Sequence, residues 1–458
     1  MSKKYNYEVV YWILCVPAGI PAGTVEFTLM PRQFTEPNRD QLYLLPPNIR
    51  DWLAPNHLVF LVEDVIDQLD LTAVYATYSD DGRGGKVFSP RMMLWLMLYA
   101  WCRGIYSSRM IARLAIEDIG ARIIVGDNAP NFRTVNLFRL RVGETLKSLF
   151  IQSVQLCIQS KLVTFEHLGI DGTKMRANAS MSNSNSLKVL NKQESRLEAE
   201  IDALLEHSRQ MDEADDKRYG LDEEGPPASP DLADRQKRRE RLREAKEALK
   251  QRAVDKASAF KERWNSQSPE DRPHSKPLDN PEDAQPVETD QYNFVDPDSR
   301  VLKQLDGSFI QGYNAQIAVD GNHQIIVAAE LTNYANDFLQ LIPMLDQSID
   351  NTGFKPKIAL ADKGYHSKNN LEQVRERNIK PCIPPPKTAK SSPLNDTDKL
   401  LYRKRSSIVE PVFGQIKGNR RSPGFRAFLR RGLQKCNQEW QAQCLAHNVC
   451  KYIRYSGT

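Results

Sequence analysis

The chain has 458 residues, 40% of them hydrophobic and 26% charged, with a net charge of +5. That balance suits a soluble globular protein of two or three domains and excludes collagen-like, disulfide-scaffold and largely disordered classes. Seven cysteines, an odd number at irregular spacing with no C-x-x-C pair, read as a reducing compartment rather than a disulfide framework. The net charge is modest, but its placement is not even. From Lys399 onward there are 13 Lys/Arg against Glu410 and Glu439 alone, a net of +11, so the preceding residues carry −6. A basic C-terminal end suits a phosphate-rich partner; a solvated basic helix face is the competing reading.

The first elements are an apolar stretch and an arm. Residues 9–25, VVYWILCVPAGIPAGTV, are apolar but broken by Pro17 and Pro21, so the uninterrupted run is too short to span a bilayer. Lys3 and Lys4 imitate a signal peptide's charged start. The preferred reading is a poorly structured extension over 1–29, with Met30 as the true start. Residues 31–55 are polar and Pro-rich and read as an extended arm. From about Asn56 to Val163 the spacing of apolar residues is helical. The spacing predicts helices over HLVFLVEDVIDQL, PRMMLWLMLYAWCRG, SSRMIARLAIEDIGARIIVG and VNLFRLRVGETLKSLFIQSVQLCIQS. Short helices followed by a Thr-capped, Arg-bearing one fit a helix-turn-helix-like module, so 30–163 is read as an all-α, DNA-binding N-terminal domain; a plain helical bundle is the alternative.

A strand follows at 164–171, with Gly172 as its exit. After Ser180 the character changes. Residues 182–290 are Ser/Asn-rich, then heavily charged, then Pro/Asp-rich. They read as an insertion of two long charged helices, over 188–204 and 231–264, paired antiparallel. The Pro-rich SQSPEDRPHSKPLDNPEDAQPVETD has too little apolar content for a core and is expected to be disordered. Regularity returns in GYNAQIAVDGNHQIIVAAELTN, a hairpin of two apolar runs around Asp320–Gly321–Asn322. Then come a helix, the strand KIALAD, the helix SKNNLEQVRERN, the short strand IKPCIPP, and a C-terminal helix bearing Glu410.

Three carboxylates have related settings. Asp171 ends FEHLGID, Asp362 ends KIALAD, and Glu410 opens the apolar helix in SSIVEPVFGQIK. Together they suggest a divalent-metal site. Each also has a plainer role. Asp171 would cap a turn at Gly172, Asp362 would accept from the following amides, and Ser407-x-x-Glu410 is a capping box with Pro411 in the first turn. Glu330 and Asp337 are reserve carboxylates. Cys444, His447 and Cys450 have ligand-like spacing, but positions 436, 440, 444 and 447 form one stripe with Trp440, which favours a packed core face.

With the insertion set aside, the order strand, hairpin, helix, strand, helix, strand, helix resembles the ribonuclease H-like fold. The segments GIDGTKMRANAS, GYNAQIAVD, ADKGYHS and VEPVFGQIKGNRRSPGFRAFLRRG are similar to those of DDE transposases of bacterial insertion sequences, in the branch with an insertion between the first two catalytic strands. The resemblance covers residue 30 to the end. It implies an α/β ribonuclease H-like catalytic domain, a mixed five-stranded sheet with helices, over 164–181 and 291–458. It implies catalytic and metal-binding roles for Asp171, Asp362 and Glu410: two Mg²⁺ or Mn²⁺ ions, bridged by Asp171, with Asp362 and Glu410 each holding one side. Lys174, Arg176, Lys363, Tyr365, Arg405, Lys417, Arg420, Arg421, Arg426 and Arg430 are the expected DNA-binding residues. A related branch shows Y-x2-R-x3-E-x6-K; here Glu410 and Lys417 keep the last spacing, whereas Arg405 lies one residue too far from Glu410, so Lys417 carries over better than Arg405. The implied partners are double-stranded DNA (element ends and target) and further copies of the chain, a homodimer or larger. No membrane, no small-molecule substrate, and a cytoplasmic, nucleoid-associated location are expected. A nuclease that cuts without joining, and a non-catalytic DNA-binding descendant, remain open as alternatives. Mass mapping of the natural N-terminus is expected to find a product that begins at Met30; an intact Met1 product would count against that start.

Overall fold

A computed structural model describes residues 48–78, 87–126, 128–219, 230–266, 275–304, 306–386, 395–418 and 424–456. The expected extension over 1–29 and the arm up to 47 lie outside the described residues. Among the described residues seven helices come first: α1 (Leu58–Asp67), α2 (Thr72–Tyr75), α3 (Pro90–Cys102), α4 (Ser108–Glu117), α5 (Ile119–Val125), α6 (Phe132–Arg141) and α7 (Leu146–Gln159). The region is all-α, as its periodicity predicts. Two expected helices are each broken in two. The first breaks at Asp118, whose extended backbone (φ −100°, ψ 129°) ends α4 and whose carboxylate accepts from the Ala121 amide to start α5. The second starts earlier than expected, at a cap made by Asn131, not by a threonine, and breaks at Val142–Gly143.

The sheet then forms from β1 (His167–Arg176), β4 (Arg300–Lys303), β5 (Phe309–Asp320), β6 (Ile326–Thr332), β7 (Ile358–Ala361) and β8 (Lys380–Cys382); β2 (Ser184–Ser186) and β3 (Gln291–Asn293) make a separate pair. β5 is antiparallel to β1, β4 and β6, while β1–β7 and β7–β8 are parallel. The sheet is mixed, as expected, but has six strands rather than five. The cause is the 12-residue length of β5: residues 309–312 pair with β4, and 314–319 pair with β6 along the same edge. The predicted hairpin is β5–β6. The edge of β6 is covered by α13 (Leu433–Tyr455). There Asn437 Oδ1 accepts from the Leu331 amide at 3.0 Å, and Asn448 exchanges two bonds with the Ile326 backbone at 2.9 and 2.8 Å. An edge strand is thus closed by side-chain amides instead of another strand. The stripe Cys436, Trp440, Cys444 and His447 is buried in that contact, as its spacing indicates.

Between β2 and β3 the insertion holds α8 (Leu187–Tyr219) and α9 (Pro230–Ser266). They pair through Leu190, Leu197, Ile201, Leu242, Ala245 and Leu249, flanked by Glu194 contacts to Arg243 (3.1 Å) and Lys246 (2.6 Å). α8 runs well beyond its predicted end. Residues 275–290, expected to be disordered, are held in place: Asn280 caps a turn over Pro281–Asp283, and the Leu187 and Lys188 amides donate to Asp290 O and Glu288 O. Backbone pairing replaces the apolar core that the composition lacks. Residues 267–274 lie outside the described residues.

α10 (Leu341–Thr352) and α11 (Lys368–Glu376) complete the crossovers of the sheet, and α12 (Asp396–Lys417) lies across β1. The close fit depends on Gly169: a Cβ there would stand 2.6 Å from Val409 Cγ2 and 3.1 Å from Ile408 Cγ2. Among the described residues no helix is long and apolar enough to cross a membrane. Gly169→Ala is expected to lower folding stability by about 1–3 kcal/mol, the usual cost of overpacking, read from urea denaturation; an unchanged midpoint would mean that α12 lies farther from β1.

Candidate active site

Asp171 sits inside β1, not at its end. The strand runs on through Gly172 to Arg176, so no turn needs a cap there. The parallel partner β7 does stop: the register Ile170↔Ala361 is its last pair. Asp171 and Asp362 therefore follow each other off the end of the same strand pair, about one inter-strand spacing of ~4.8 Å apart. Asp362 Oδ1 accepts from the Gly364 amide at 2.7 Å and caps the turn Lys363–Tyr365, so its plainer role is present as well. That local bond leaves the carboxylate's second oxygen free of this cap.

Glu410 was expected to open its helix, and it does not. α12 starts fourteen residues earlier at Asp396, capped by Asn395. The capping box is absent: the Ser407 hydroxyl donates backward to Lys404 O at 2.7 Å. Pro411 is interior to the helix. It has no N–H to give to the carbonyl four residues back, and that carbonyl, Ser407 O, instead accepts from Gln324 Nε2 at 2.9 Å. The helix survives its proline because a side chain from the β5–β6 turn replaces the missing donor. Glu410 is thus relieved of any capping task, and its side chain is 64% exposed.

Arg405 joins the two levels. Its Nη1 donates to Asp171 Oδ2 at 2.6 Å, and Nη2 stands 4.0 Å from Glu410 Oε1. The extra residue between Arg405 and Glu410 does not remove the arginine from the site. Five helical residues turn through about 140°, so the guanidinium reaches down to β1 instead of lying alongside the glutamate. Asp171 Oδ1 accepts from its neighbour's amide, Gly172, at 2.9 Å. Burial is the largest influence on Asp171 and pushes its carboxyl up to about 6; Asp362 adds to the rise, and Arg405 and the Gly172 amide oppose it.

Comparison with known proteins finds similarity to transposases. A family model described as "Transposase DDE domain" matches residues 283–449, and one described as "Transposase domain (DUF772)" matches 47–141. A "Putative transposase for insertion sequence element IS402" from Burkholderia cepacia is 27% identical over 127 residues, covering 26% of this chain. In these two regions the chain is similar to the DDE transposases of insertion sequences. The match spans 60% of that relative's length. No solved structure matches the chain.

DDE transposase domains generally work with divalent metals, and the side chains can be tested against that. Among the described residues, no group of three His, Cys, Asp or Glu is gathered closely enough to hold a metal ion. The expected three-carboxylate cluster is therefore not assembled: two carboxylates are adjacent, and the third stands off beyond Arg405. The donor chemistry nevertheless fits. Asp171 and Asp362 are hard oxygen ligands side by side, and a buried carboxylate whose charged form is disfavoured, even beside an arginine, is short of positive charge.

The reserve carboxylates are elsewhere. Glu330 lies on β6, two strands from β1, engaged by Asn437. Asp337 accepts from Asn314 Nδ2 at 2.6 Å and Gln316 Nε2 at 2.8 Å, beside Gly172. Gly172 points away from Asp171 through the strand's alternation, so Asp337 belongs to the opposite face.

The expected DNA contacts divide. Arg176, Lys363 and Arg426 are exposed, and Lys174 is partly so. The Lys174 Nζ donates to Ala335 O at 2.8 Å, and Arg426 Nε donates to Lys417 O at 3.2 Å. Lys417 bonds Thr173 Oγ1, two residues beyond Asp171 on the same face, and burial holds its ammonium below the ordinary value. Three others are corrected. Tyr365 is fully buried and its hydroxyl donates to Gln316 Oε1, so it anchors the loop after Asp362 and offers no ring to a base. Arg405 is only 14% exposed and faces carboxylates, not solvent. Arg430 turns inward to Gln438 Oε1 at 2.9 Å, beside the buried pair Arg139–Glu439. Arg420 and Arg421 lie outside the described residues. Gln316 and Asn314 were not singled out from the sequence, although their alternation with Ala315 and Ile317 in β5 is a readable signal.

Because Asp171 keeps its proton up to about pH 6, its ionised form is the less stable one in the folded chain. Its contribution to stability is present below its ordinary value of 3.8 and is lost as pH rises through about 6. A bound cation reverses that balance. Calorimetric titration with Mn²⁺ is expected to show affinity nearly constant above pH 7 and falling by about tenfold per pH unit well below pH 6; affinity independent of pH down to 5 would remove Asp171 from the metal site.

Proposed function

We propose that the protein binds the ends of its own insertion sequence, cuts the DNA there and joins those ends to a target. The observation that carries this reading is the β1–β7 register, which sets Asp171 beside Asp362 under the helix that bears Glu410. The strand order β6–β5–β1–β7–β8 is the order expected of a ribonuclease H-like domain, and it supports assigning that fold to 164–181 and 291–458. Two Mg²⁺ or Mn²⁺ ions, held by Asp171, Asp362 and Glu410, would stabilise charge on the attacking and leaving oxygens and activate the attacking water or 3′-hydroxyl. This chain's own part is to supply the cradle. Gly169 lets α12 approach β1 closely, Tyr365 pins the loop after Asp362, and Lys417 brings a cation to the Asp171 face. Lys363, Arg176 and Arg426 give exposed positive charge for the DNA backbone. No covalent protein nucleophile is needed.

End recognition falls to the helical region. Its support is a surface cluster on α4 and α6, in which the guanidinium carbons of Arg109 and Arg133 stand 5.3 and 5.8 Å from the centre of the exposed Phe132 ring. Stacked arginines around an exposed ring suit a nucleic-acid partner. Pairing of two ends implies a dimer or larger on DNA, acting in the cytoplasm on the nucleoid.

Asp171→Ala, Asp362→Ala and Glu410→Ala are each expected to lower cleavage of a DNA bearing the inverted repeats by at least about 10³-fold, with end binding retained in a gel-shift assay. Retained cleavage in any one variant would take that residue out of the site. Cleavage by the wild type without joined product would demote the protein to a nuclease.

A further inference from the structure

We infer that Arg405 competes with a divalent ion for Asp171, as a counter-cation whose guanidinium the ion must displace. The inference rests on the reading above that Asp171 takes such an ion. Three observations carry it. First, the guanidinium holds Asp171 Oδ2 at 2.6 Å and has Glu410 Oε1 at 4.0 Å on its other arm. It therefore fills the gap between two carboxylates that a metal would draw together. Second, Asp171 and Asp362 each follow the last β1–β7 register pair, Ile170↔Ala361, so an ion drawn to both meets the guanidinium already bonded to Asp171. Third, Arg405 is not fully satisfied where it is. Its Nε is buried and has no hydrogen-bond partner, while the side chain as a whole is only 14% exposed. A structural arginine locked for stability normally has its donors matched; this one has a vacancy that makes its position easier to leave.

The electrostatics point the same way. Asp171 and Asp362 are adjacent and like-charged, and the Asp171 side chain is only 18% exposed. Without a cation the pair is unstable in its ionised form. Arg405 relieves one unit of that charge from the helix side. A divalent ion brings two units and can bind both aspartates at once, so it competes for the same oxygen with more to offer. The arginine lowers the apparent metal affinity, because its bond to Asp171 must break first. The one-residue departure of Arg405 from the Y-x2-R-x3-E spacing is what aims the guanidinium at β1.

The experiment is Mn²⁺ binding by titration calorimetry on the full chain at pH 7.5, free of DNA, with Asp171→Asn to identify the site's own signal. Arg405→Gln, which keeps the size and removes the charge, is expected to tighten Mn²⁺ by about tenfold, one unit of charge competition. Arg405→Lys is expected to stay within about threefold of the wild type. In thermal melts, Arg405→Gln should be the less stable protein in chelator and should gain more from Mn²⁺ than the wild type does. Unchanged or weaker Mn²⁺ binding in Arg405→Gln, with wild-type binding intact, overturns the counter-cation role and leaves the metal site standing. Wild-type protein with no Asp171-dependent binding overturns both. Should Arg405→Gln fail to fold, arginine-labelled wild type decides by resonance: the slowly exchanging Arg405 Nη signal should be lost when Mg²⁺ saturates the site, and its persistence would overturn the inference.

Discussion

The arrangement depends on one constraint: a carboxylate held inside a central strand, beside a second one, without enough positive charge. Asp171 is raised to about 6 chiefly by burial, and the protein surrounds it with partial remedies. The Gly172 amide donates to one oxygen and Arg405 to the other. Neither suffices, as the direction of the shift indicates. Much nearby architecture serves to bring charge to this point. α12 must lie close to β1, which requires a glycine at 169, and it must pass a proline at 411, which requires Gln324 to supply a missing donor.

Behind Asp171 the sheet carries a second polar layer, on the opposite face. Gln316 accepts from the Tyr365 hydroxyl and donates to Asp337, which also accepts from Asn314. Tyr365, Gln316 and Asn314 are buried and Asp337 is partly so; mutually bonded, they tie the loop after β7 to the middle of β5. A network of this kind is costly if broken and directional if intact. It holds the loop after Asp362 from one face, as Arg405 holds Asp171 from the other.

The helical region is joined to the sheet region by a further buried ion pair. Arg139 on α6 meets Glu439 on α13 at 2.6 Å, and the same glutamate accepts from the Leu429 and Arg430 amides. That loop runs on to Phe428, whose amide donates to Arg176 O at the end of β1. A continuous set of bonds thus connects the helix proposed to meet DNA with the strand that carries Asp171. The insertion is fastened at its base in a similar way, with Arg252 on α9 donating to Gln291 O and Pro297 O.

The sequence by itself determined the order of elements, the all-α start, the charged helical insertion and the aspartates. Each is written in local pattern: apolar spacing, a composition shift, an acid at the end of an apolar run. It could not give the true context of Glu410, because a capping box and an interior proline are identical over four letters. Only the supply of a donor from Gln324, 83 residues earlier in the chain, decides between them. Nor could it give the burial of Tyr365, the inward turn of Arg430 or the grip of Arg405 on Asp171, 234 residues away. Charge and residue type are local properties. Which partner a long side chain finds is set by elements that meet only when the sheet closes and α12 settles on β1.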